Sequence, residues 1–409
     1  MGFGRDRDTD RKEANGNGFF TAKEQHQLIE MVEDFARNEV APLTREMDEN
    51  QTFLPPGVWK KMADLNLLAS YVPEEYGGLG LSAMDILITR QAWARGGGCL
   101  GSLLSWGASD GIGTVGILKH GNEQQKKKYL PGIVSGDLIS CFALTEPDSG
   151  SDAFNMRTRA VKKGDHYVLN GTKMFITNGP ICDIGIVLAV TDPSKGPLGI
   201  SAFIFEKDFP GFSRGKKIDK MGMRSSPTSE LIFEDCIIPE ENLLGGEGMG
   251  ALVANTTLHW ERTGMGFAIG TMEYNLNLCK EYALQRYQFG EPIGNFQAIR
   301  HRLAEMKIDI EAAKYLFYRM AWLIDTNQIP AILDTSVCKA FLSKALVKNA
   351  DAAISIFGGY GVCSEYPVQR SYRDAKIIEI GGGTYDIQLN MIATAIVGPR
   401  QKVKKKYSG

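Results

Sequence analysis

The sequence predicts an α+β protein with an N-terminal helical domain, a middle antiparallel β domain and a C-terminal helical bundle. Helical apolar spacing dominates the first part of the chain, short strand-like runs replace it near residue 143, and helical spacing returns near residue 248. Strand runs without helices between them indicate an antiparallel sheet. We expect domains over 20–142, 143–247 and 248–402, a disordered leader over 1–19 and a basic tail over 403–409.

In the first domain we expect helices over 22–47, 56–68, 82–96 and 100–119. Thr21, followed three residues later by Glu24, has the spacing of a capping box at the first helix start. Two G-x-G-x-x-G patterns, at 96–101 and 111–116, lack a preceding strand. We interpret them as bends rather than as a dinucleotide site.

The middle domain begins with two strand-like runs in 166–179, each ending in Asn-Gly, which is a strong signal of a tight turn. Further strands are expected over 184–190, 200–206 and 229–238. In the C-terminal part, helical patterns cover 248–286, 295–326 and 331–357.

Composition excludes several classes of function. The 46 basic residues nearly balance the 48 acidic ones, with a formal net charge of -2, so we expect no nucleic-acid partner. No run reaches the roughly 18 apolar residues of a membrane span, so we expect no membrane insertion. The seven cysteines and five histidines are scattered without metal-ligand spacing. We therefore expect no metal site and a reducing, cytoplasmic location.

Four separated segments carry a family resemblance. They read CFALTEPDSGSD at 141–152, LNGTKMFITNG at 169–179, QRYQFGEPIGNFQ at 285–297, and FGGYG at 357–361, which leads into RDAKIIEIGGGTYDIQ at 373–388. In order and spacing they resemble acyl-CoA dehydrogenases across roughly residues 20–400. The resemblance implies FAD as the cofactor and the α,β-dehydrogenation of an acyl thioester, most simply acyl-CoA.

A flavin needs hydrogen-bond donors around its polar edge and an apolar wall against its ring. The resemblance implies Thr145 at the pyrimidine edge, Ser151 at a phosphate, Phe175 against the isoalloxazine and Thr177 at N5. For the two threonines the alternative is an ordinary place in a strand.

Further cofactor contacts in this family come from a neighbouring subunit. By resemblance, Arg286 neutralises the FAD diphosphate, Phe289 packs near the adenosine, and Gln297 and Gly359 lie along the same cofactor. A glycine lets the backbone approach a phosphate closely. For Arg286 the alternative is a surface salt bridge.

The C-terminal loop is implied to contact the cofactor through Thr384 and Asp386. Family members are usually homotetramers, which suits a cofactor held by two subunits, and electron-transferring flavoprotein is the expected electron acceptor. Ser355 departs from the family, because relatives often place a glutamine there.

The catalytic base requires a separate argument, because many members carry it as a glutamate at the position of Gly382. Glycine cannot take a proton. Glu261 lies three residues after Leu258 and four before Met265, so an acid interrupts an apolar stripe. A buried acid is costly unless it is paired or used, and a structural ion pair is the alternative.

The family comparison favours Glu261 as the base. Isovaleryl-CoA and long-chain members also lack the loop glutamate and carry the base in a Glu-Arg pair at this helix position. We expect a water-poor site, where burial raises the pKa of a carboxylate and suits it to proton abstraction. The backbone N–H of Gly382 is expected to donate to the thioester carbonyl as negative charge develops.

Substrate contacts follow from the same resemblance. Arg262 is expected to hold the pantetheine or the helix start, and Trp260 to narrow the acyl pocket or to pack between helices. His259 stands where relatives carry an aspartate that contacts the pantetheine, so an acyl carrier protein is the alternative to CoA. Ser105 and Trp106 fall near where relatives line the acyl tail.

Two other activities remain open at this point. A flavin oxidase or monooxygenase has the same fold and uses oxygen. A catalytically silent assembly protein is the second alternative, and the cofactor motifs argue against it.

Overall fold

The computed structural model describes residues 23–328 and 332–399. Thr21, the predicted 1–19 leader and the predicted 403–409 tail lie outside these residues. The N-terminal part is helical, as predicted. Its helices are α1 (Lys23–Phe35), α2 (Thr44–Asn50), α3 (Pro56–Asp64), α4 (Ala83–Arg95), α5 (Leu100–Trp106), α6 (Val115–His120) and α7 (Glu123–Val134).

Two of the predicted helices are interrupted. A π-helical turn at Ala36–Val40 breaks the helix expected over 22–47, and another at Gly107–Ile112 breaks the helix expected over 100–119. The helix α7 was not predicted, although Asn122 and Gln125 form a capping box at its start. Both G-x-G-x-x-G segments lie between or within helices, which agrees with their interpretation as bends.

The middle part forms a sheet with the strand order β6-β7-β3-β2-β4-β5-β8. Its strands are β1 (Ser140–Ala143), β2 (Arg159–Lys163), β3 (His166–Thr177), β4 (Ile184–Val190), β5 (Ile200–Glu206), β6 (Phe212–Lys217), β7 (Thr228–Pro239) and β8 (Leu243–Leu244). Most pairings are antiparallel, as predicted, but β1 and β2 pair with β4 in parallel, so the sheet is mixed.

One predicted turn is wrong. The chain does not reverse at Asn170-Gly171, because β3 continues through it with a shift in register against β7. Gly171 has φ +152°, and a Cβ there would lie 2.3 Å from Thr158 Oγ1. The glycine therefore serves a bulge and a close approach of the backbone rather than a hairpin.

The C-terminal part is helical, with a two-residue strand pair, β9 (Tyr287–Gln288) and β10 (Glu291–Pro292), after its second helix. Its helices are α8 (Gly250–Glu261), α9 (Gly266–Gln285), α10 (Gln297–Asp325), α11 (Ile332–Phe357), α12 (Pro367–Ile380) and α13 (Tyr385–Val397). The continuous helix predicted over 248–286 is wrong, because a 3₁₀ turn at Arg262–Met265 separates α8 from α9. The Thr263 hydroxyl donates to the Trp260 carbonyl at 2.7 Å, which satisfies a carbonyl at this break.

The break between α8 and α9 lies where two hydrophobic cores meet. Val253 of α8 belongs to the core that joins α6 and α7 to one face of the sheet. Met265 belongs to the core that the N-terminal and C-terminal helices share. Glu261, the last residue of α8, therefore lies at the junction of these two cores.

The shared helical core makes the first and third parts of the chain one packed unit. Trp93 of α4, Met272 of α9 and Phe317 of α10 are all fully buried in it. A Cβ at Gly270 of α9 would lie 2.0 Å from a carbonyl oxygen of α4, so only glycine permits this helix contact. Across residues 23–328 and 332–399, no helix has both the length and the apolar character needed to cross a bilayer.

Candidate active site

At the break between α8 and α9, a glutamate and an arginine occupy adjacent positions in the chain. Arg262 donates from Nη1 to Oε2 of Glu261 at 2.7 Å. The arginine side chain is 8% exposed and the glutamate side chain 28% exposed. Among the hydrogen bonds of the described residues, none reaches Oε1 of Glu261. The ion pair therefore fixes one carboxylate oxygen and leaves the other available.

Gly382 lies directly against this carboxylate. It is in the loop between α12 and α13 with φ +63°, in the left-handed region that favours glycine. A Cβ at this position would lie 2.5 Å from Oε1 and 2.7 Å from Oε2 of Glu261. A side chain at 382 and the present position of Glu261 are sterically incompatible. The two features that the sequence links are thus neighbours in space.

Buried side chains hold the glycine loop by its carbonyl groups. The carbonyls of residues 381–383 accept hydrogen bonds, in chain order, from Lys339, Arg262 and Gln388. The second and third of these bonds measure 2.9 and 3.2 Å. All three donor residues are buried. The loop is therefore fixed from three directions.

Lys339 and Gln388 are functional candidates that the sequence analysis missed. Lys339 lies on the buried face of α11 and is 2% exposed. Burial, together with repulsion from Arg262, lowers the pKa of Lys339 to about 7. The available signal was the same one that marks Glu261, a charged residue inside an apolar helical pattern. Gln388 has no such signal, because its partner is set by the loop conformation.

The residues that precede Glu261 pack against the N-terminal helices. The Trp260 ring lies 4.8 Å from the Tyr71 ring, centroid to centroid. The Tyr71 hydroxyl donates to the Asp110 carbonyl at 2.6 Å, so this aromatic pair is anchored. The contact agrees with the packing interpretation of Trp260, and its effect on the acyl pocket stays a prediction.

His259 is half-buried in the last turn of α8. Burial, and then the positive charge of Arg262, lower the pKa of His259 below its ordinary value. The ring is therefore neutral near pH 7.

Ser105 and Trp106 are buried against other side chains of the protein. The Ser105 hydroxyl donates to the Asn178 side chain at 2.7 Å. The Arg90 guanidinium lies 3.2 Å from the centre of the Trp106 ring. Both predicted residues are fully buried, so neither presents free surface to a substrate in this structure. Their contact with the acyl tail stays a prediction.

The first group of predicted cofactor residues lies on β3 and the loop beside it. The backbone N–H of Met174 donates to the Thr145 carbonyl at 2.8 Å, which brings the two motifs together. Phe175 has φ +59° and is 61% exposed, at a register shift between β3 and β7. An exposed ring at a bulge is a ready apolar wall for a flat cofactor. Thr177 is half-buried. Ser151, in the loop that follows Thr145, is exposed.

A buried ion pair supports this group and was also missed from the sequence. Lys173 donates to Glu146 Oε1 at 2.8 Å, and both residues are buried. The carboxylate also accepts the backbone N–H groups of Arg157 and Thr158 at 2.6 and 3.0 Å. The pair therefore fixes the loop that carries Thr145.

A second group lines a cleft of about 570 Å³ between α9 and α11. Arg286, Phe289 and Gly359 all contribute to its wall. Phe289 is 95% exposed with φ +51°, and the Arg286 guanidinium lies 5.6 Å from the centre of the Tyr360 ring. An exposed arginine beside exposed aromatic rings suits a diphosphate joined to an adenosine.

The remaining predicted cofactor residues lie at helix starts. Gln297 is the first residue of α10 and is exposed. The Thr384 side chain accepts the Ile387 N–H at 3.2 Å and so caps α13. Asp386 is exposed in the first turn of that helix.

Comparison with known proteins identifies the family. Three family models match, described as the N-terminal, middle and C-terminal domains of acyl-CoA dehydrogenase, over residues 22–137, 141–236 and 248–397. An acyl-CoA dehydrogenase of Bacillus subtilis is 44% identical, covering 92% of this chain and 98% of that protein. A mitochondrial isovaleryl-CoA dehydrogenase of Oryza sativa is 41% identical, covering 90% of each.

Solved structures agree with these sequence matches. Butyryl-CoA dehydrogenase from Megasphaera elsdenii has a TM-score of 0.89 and 38% identity, covering 93% of this chain and all of that one. The prolyl acyl carrier protein oxidase AnaB has a TM-score of 0.89 and 35% identity, covering 92% of this chain and all of that one. The chain belongs to the acyl-CoA dehydrogenase family, whose cofactor is FAD.

Proposed function

We propose that Glu261 is the catalytic base of this acyl-CoA dehydrogenase. One observation carries the proposal: the unbonded carboxylate oxygen of Glu261 lies where a side chain at 382 would otherwise be. A carboxylate at 261 therefore occupies the space that a glutamate side chain from the loop would fill in other members. Arg262 holds the second oxygen, which orients the carboxylate without occupying its free lone pairs.

The proposed roles of the chain follow from these contacts. Glu261 Oε1 takes the α-proton of the acyl thioester. The Gly382 N–H donates to the thioester carbonyl, because negative charge develops there as the proton leaves. FAD, when bound, would supply the acceptor for the β-hydrogen as hydride. The exposed ring of Phe175 and the polar groups of Thr145, Thr177 and Ser151 suit the flavin and its phosphates.

The cofactor residues support the proposal of a homotetramer. Phe175 lies on the middle sheet, whereas Arg286, Phe289 and Gly359 line a cleft on the helical part. We propose that this cleft, with Gln297, Thr384 and Asp386, completes the FAD site of a neighbouring subunit.

We propose electron-transferring flavoprotein as the electron acceptor. We propose domain bounds at 20–142, 143–247 and 248–402. The seven free cysteines support a reducing, cytoplasmic location.

Acyl-CoA is the proposed substrate, with Arg262 and His259 near the pantetheine and Trp260 near the acyl group. His259, with a neutral imidazole, stands where relatives are expected to carry an aspartate. The similarity to a prolyl acyl carrier protein oxidase favours one second candidate, a carrier-bound acyl group with oxygen as acceptor. Both candidates use the same pantetheine arm and the same base.

Anaerobic bleaching of the flavin tests the base assignment. The purified holoenzyme is mixed with a panel of short, branched, aromatic and cyclic acyl-CoAs and with one carrier-bound acyl group. We expect Glu261→Gln to retain FAD and to slow bleaching by about 1000-fold or more, in the range of lost general-base catalysis. Glu311→Gln, at a glutamate whose side chain is 41% exposed and paired with Lys307, is the control and is expected to bleach normally.

Two outcomes would change the proposal. A Glu261→Gln enzyme that bleaches at the wild-type rate removes Glu261 as the base. Bleaching by the carrier-bound group alone, followed by rapid reoxidation in air with peroxide release, supports the oxidase candidate instead.

A further inference from the structure

A buried lysine stands behind the glycine loop, and the proposed mechanism leaves it without a role. Lys339 is 2% exposed on α11, and its ammonium donates to the carbonyl of Gly381. Its nearest charges are Arg262, which repels it, and Glu261, which attracts it. A lysine in this position costs folding free energy, because burial penalises its charged form. The hydrogen bond to the Gly381 carbonyl is the interaction that offsets this cost.

The carbonyl that Lys339 holds belongs to the amide that is central to the proposed chemistry. The Gly381 C=O and the Gly382 N–H are parts of one peptide group, which is planar and trans. Fixing the carbonyl therefore fixes the direction of the N–H, which points away from the lysine. Among the described residues, no acceptor takes this N–H within the protein.

The same contact changes the strength of the donor. In its protonated form Lys339 places a cation on the carbonyl oxygen, which draws electron density along the amide and makes its N–H more acidic, since hydrogen bonds in a chain polarise one another. Bonds that involve an ionised group are stronger than neutral ones. Lys339 thus acts on the direction and on the donor strength of the Gly382 N–H.

We propose that Lys339 is a positioning residue, which aims and polarises the Gly382 N–H at the thioester carbonyl of the substrate. The inference rests on the proposed function of Glu261 and Gly382 and extends it to a residue that is buried behind the loop. Arg262 and Gln388 hold the two following carbonyls, but their peptide groups carry the N–H groups of residues 383 and 384. Lys339 alone of the three acts on the amide of the Gly382 N–H.

Exchange of the α-hydrogens with deuterium oxide tests this role apart from hydride transfer. The probes are tert-butylacetyl-CoA and acetyl-CoA, which have α-hydrogens and no β-hydrogen. The holoenzymes compared are wild type, Lys339→Met, Lys339→Gln and Lys348→Met. The glutamine variant keeps a neutral donor on a shorter arm. Lys348 lies on the same helix, 55% exposed and paired with Asp309, and serves as the matched control.

We expect Lys339→Met to slow α-exchange by about 10- to 100-fold, less than or equal to the loss of a direct oxyanion donor. Lys339→Gln is expected to lie between this variant and wild type, and Lys348→Met to match wild type. Affinity for CoA and the FAD content are expected to change by less than about threefold, because the buried lysine has almost no surface to offer either ligand. Flavin reduction at saturating acyl-CoA is measured in parallel and is expected to follow the same order.

The results separate this inference from the function on which it rests. If wild type neither exchanges α-hydrogens nor bleaches, the proposed function itself is wrong. If wild type is active and the folded Lys339 variants stay within threefold of it in both rates, the role of Lys339 is wrong. A parallel fall in rates, CoA affinity and FAD content also overturns it, because that pattern indicates a structural role. If the methionine variant does not fold, the glutamine variant decides on the same criteria.

Discussion

Two glutamate–cation pairs in this protein differ in how fully the carboxylate is bonded. Glu146 accepts Lys173 and two backbone N–H groups, so both of its oxygens are used. Glu261 lies against Gly382 and accepts Arg262 on one oxygen, and no donor among the described residues reaches its other oxygen. Burial alone raises the pKa of Glu146, but attraction and hydrogen bonding from Lys173, together with the hydrogen bonds from Thr158 and Arg157, outweigh it and lower that pKa.

The difference suits Glu146 to a structural role and Glu261 to the proposed role of base. A carboxylate saturated with donors has no lone pair directed at a substrate, and its charge stabilises the loop that it holds. A base must be oriented on one side and open on the other. The ion pair alone does not separate the two roles; the number of additional donors does.

The largest effect that tests this comparison is expected at Glu146. Glu146→Gln leaves Lys173 buried without a counter-charge, and the new amide group donates where three donors already converge. We expect a loss of about 3–5 kcal/mol in the free energy of unfolding, as when one partner of a buried pair is removed. Urea unfolding of the holoenzyme measures it. Glu240→Gln, which disrupts an exposed pair with Lys162, is expected to cost less than about 1 kcal/mol. Equal losses in the two variants would contradict the structural role of Glu146.

The part of this architecture that the sequence predicts is the part that hydrophobic periodicity controls. The strands β4 and β5 match their predicted bounds, and the helix α4 differs by one residue at each end. The π turns at Ala36–Val40 and Gly107–Ile112 span 5 and 6 residues, which is shorter than the window of about 11–18 residues that periodicity needs, so periodicity does not reveal them. The same holds for the 3₁₀ turn after Glu261.

The candidate site likewise has a part that the sequence predicts and a part that it does not reveal. The link between Glu261 and Gly382 is predictable, because both residues lie in family motifs. A glycine at 382 cannot take a proton, which directs the search for the base to Glu261. The contact of Lys339 with the glycine loop joins residues 42 apart, and that of Lys173 with Glu146 joins residues 27 apart. Such contacts depend on the packing of whole helices and strands, which local pattern does not specify.

The second effect is expected at Gly382, where a methyl group would intrude on the open side of Glu261. Gly382→Ala introduces a Cβ 2.5 Å from Oε1 and a residue that disfavours φ +63°. We expect flavin reduction by acyl-CoA to slow by about 100-fold, a loss comparable to that of one oxyanion donor. Rapid mixing under anaerobic conditions measures the rate.

Gly381→Ala is the adjacent control for this prediction. Gly381 has an extended backbone with φ -66°, which any residue can adopt, and a Cβ there meets only the Ile377 carbonyl at 3.4 Å. Its backbone carbonyl is retained in the variant, so we expect a loss below about tenfold. If the two alanine variants lose the same activity, the open side of Glu261 is not what Gly382 protects.

The smallest effect concerns a third carboxylate, Asp374 of α12, which is buried without a hydrogen-bonded cation among the described residues. It accepts the backbone N–H of Met223, and burial raises its pKa to about 6. A raised folded-state pKa stabilises the protein below the unfolded pKa near 3.9, and this contribution is lost as the pH rises through about 6. Asp374→Asn cannot titrate and keeps an oxygen that accepts from Met223.

We therefore expect the stability of wild type, relative to Asp374→Asn, to fall by on the order of 2 kcal/mol between about pH 4.5 and 6.5. Urea unfolding of both holoenzymes at the two pH values measures the difference. Asp64→Asn, at an exposed pair with Lys60, is expected to follow wild type. Parallel profiles for wild type and Asp374→Asn would mean that one backbone donor is enough to keep a buried carboxylate ionised. The number of donors would then no longer distinguish Glu146 from Glu261, and the open oxygen beside Gly382 would have to carry that distinction alone.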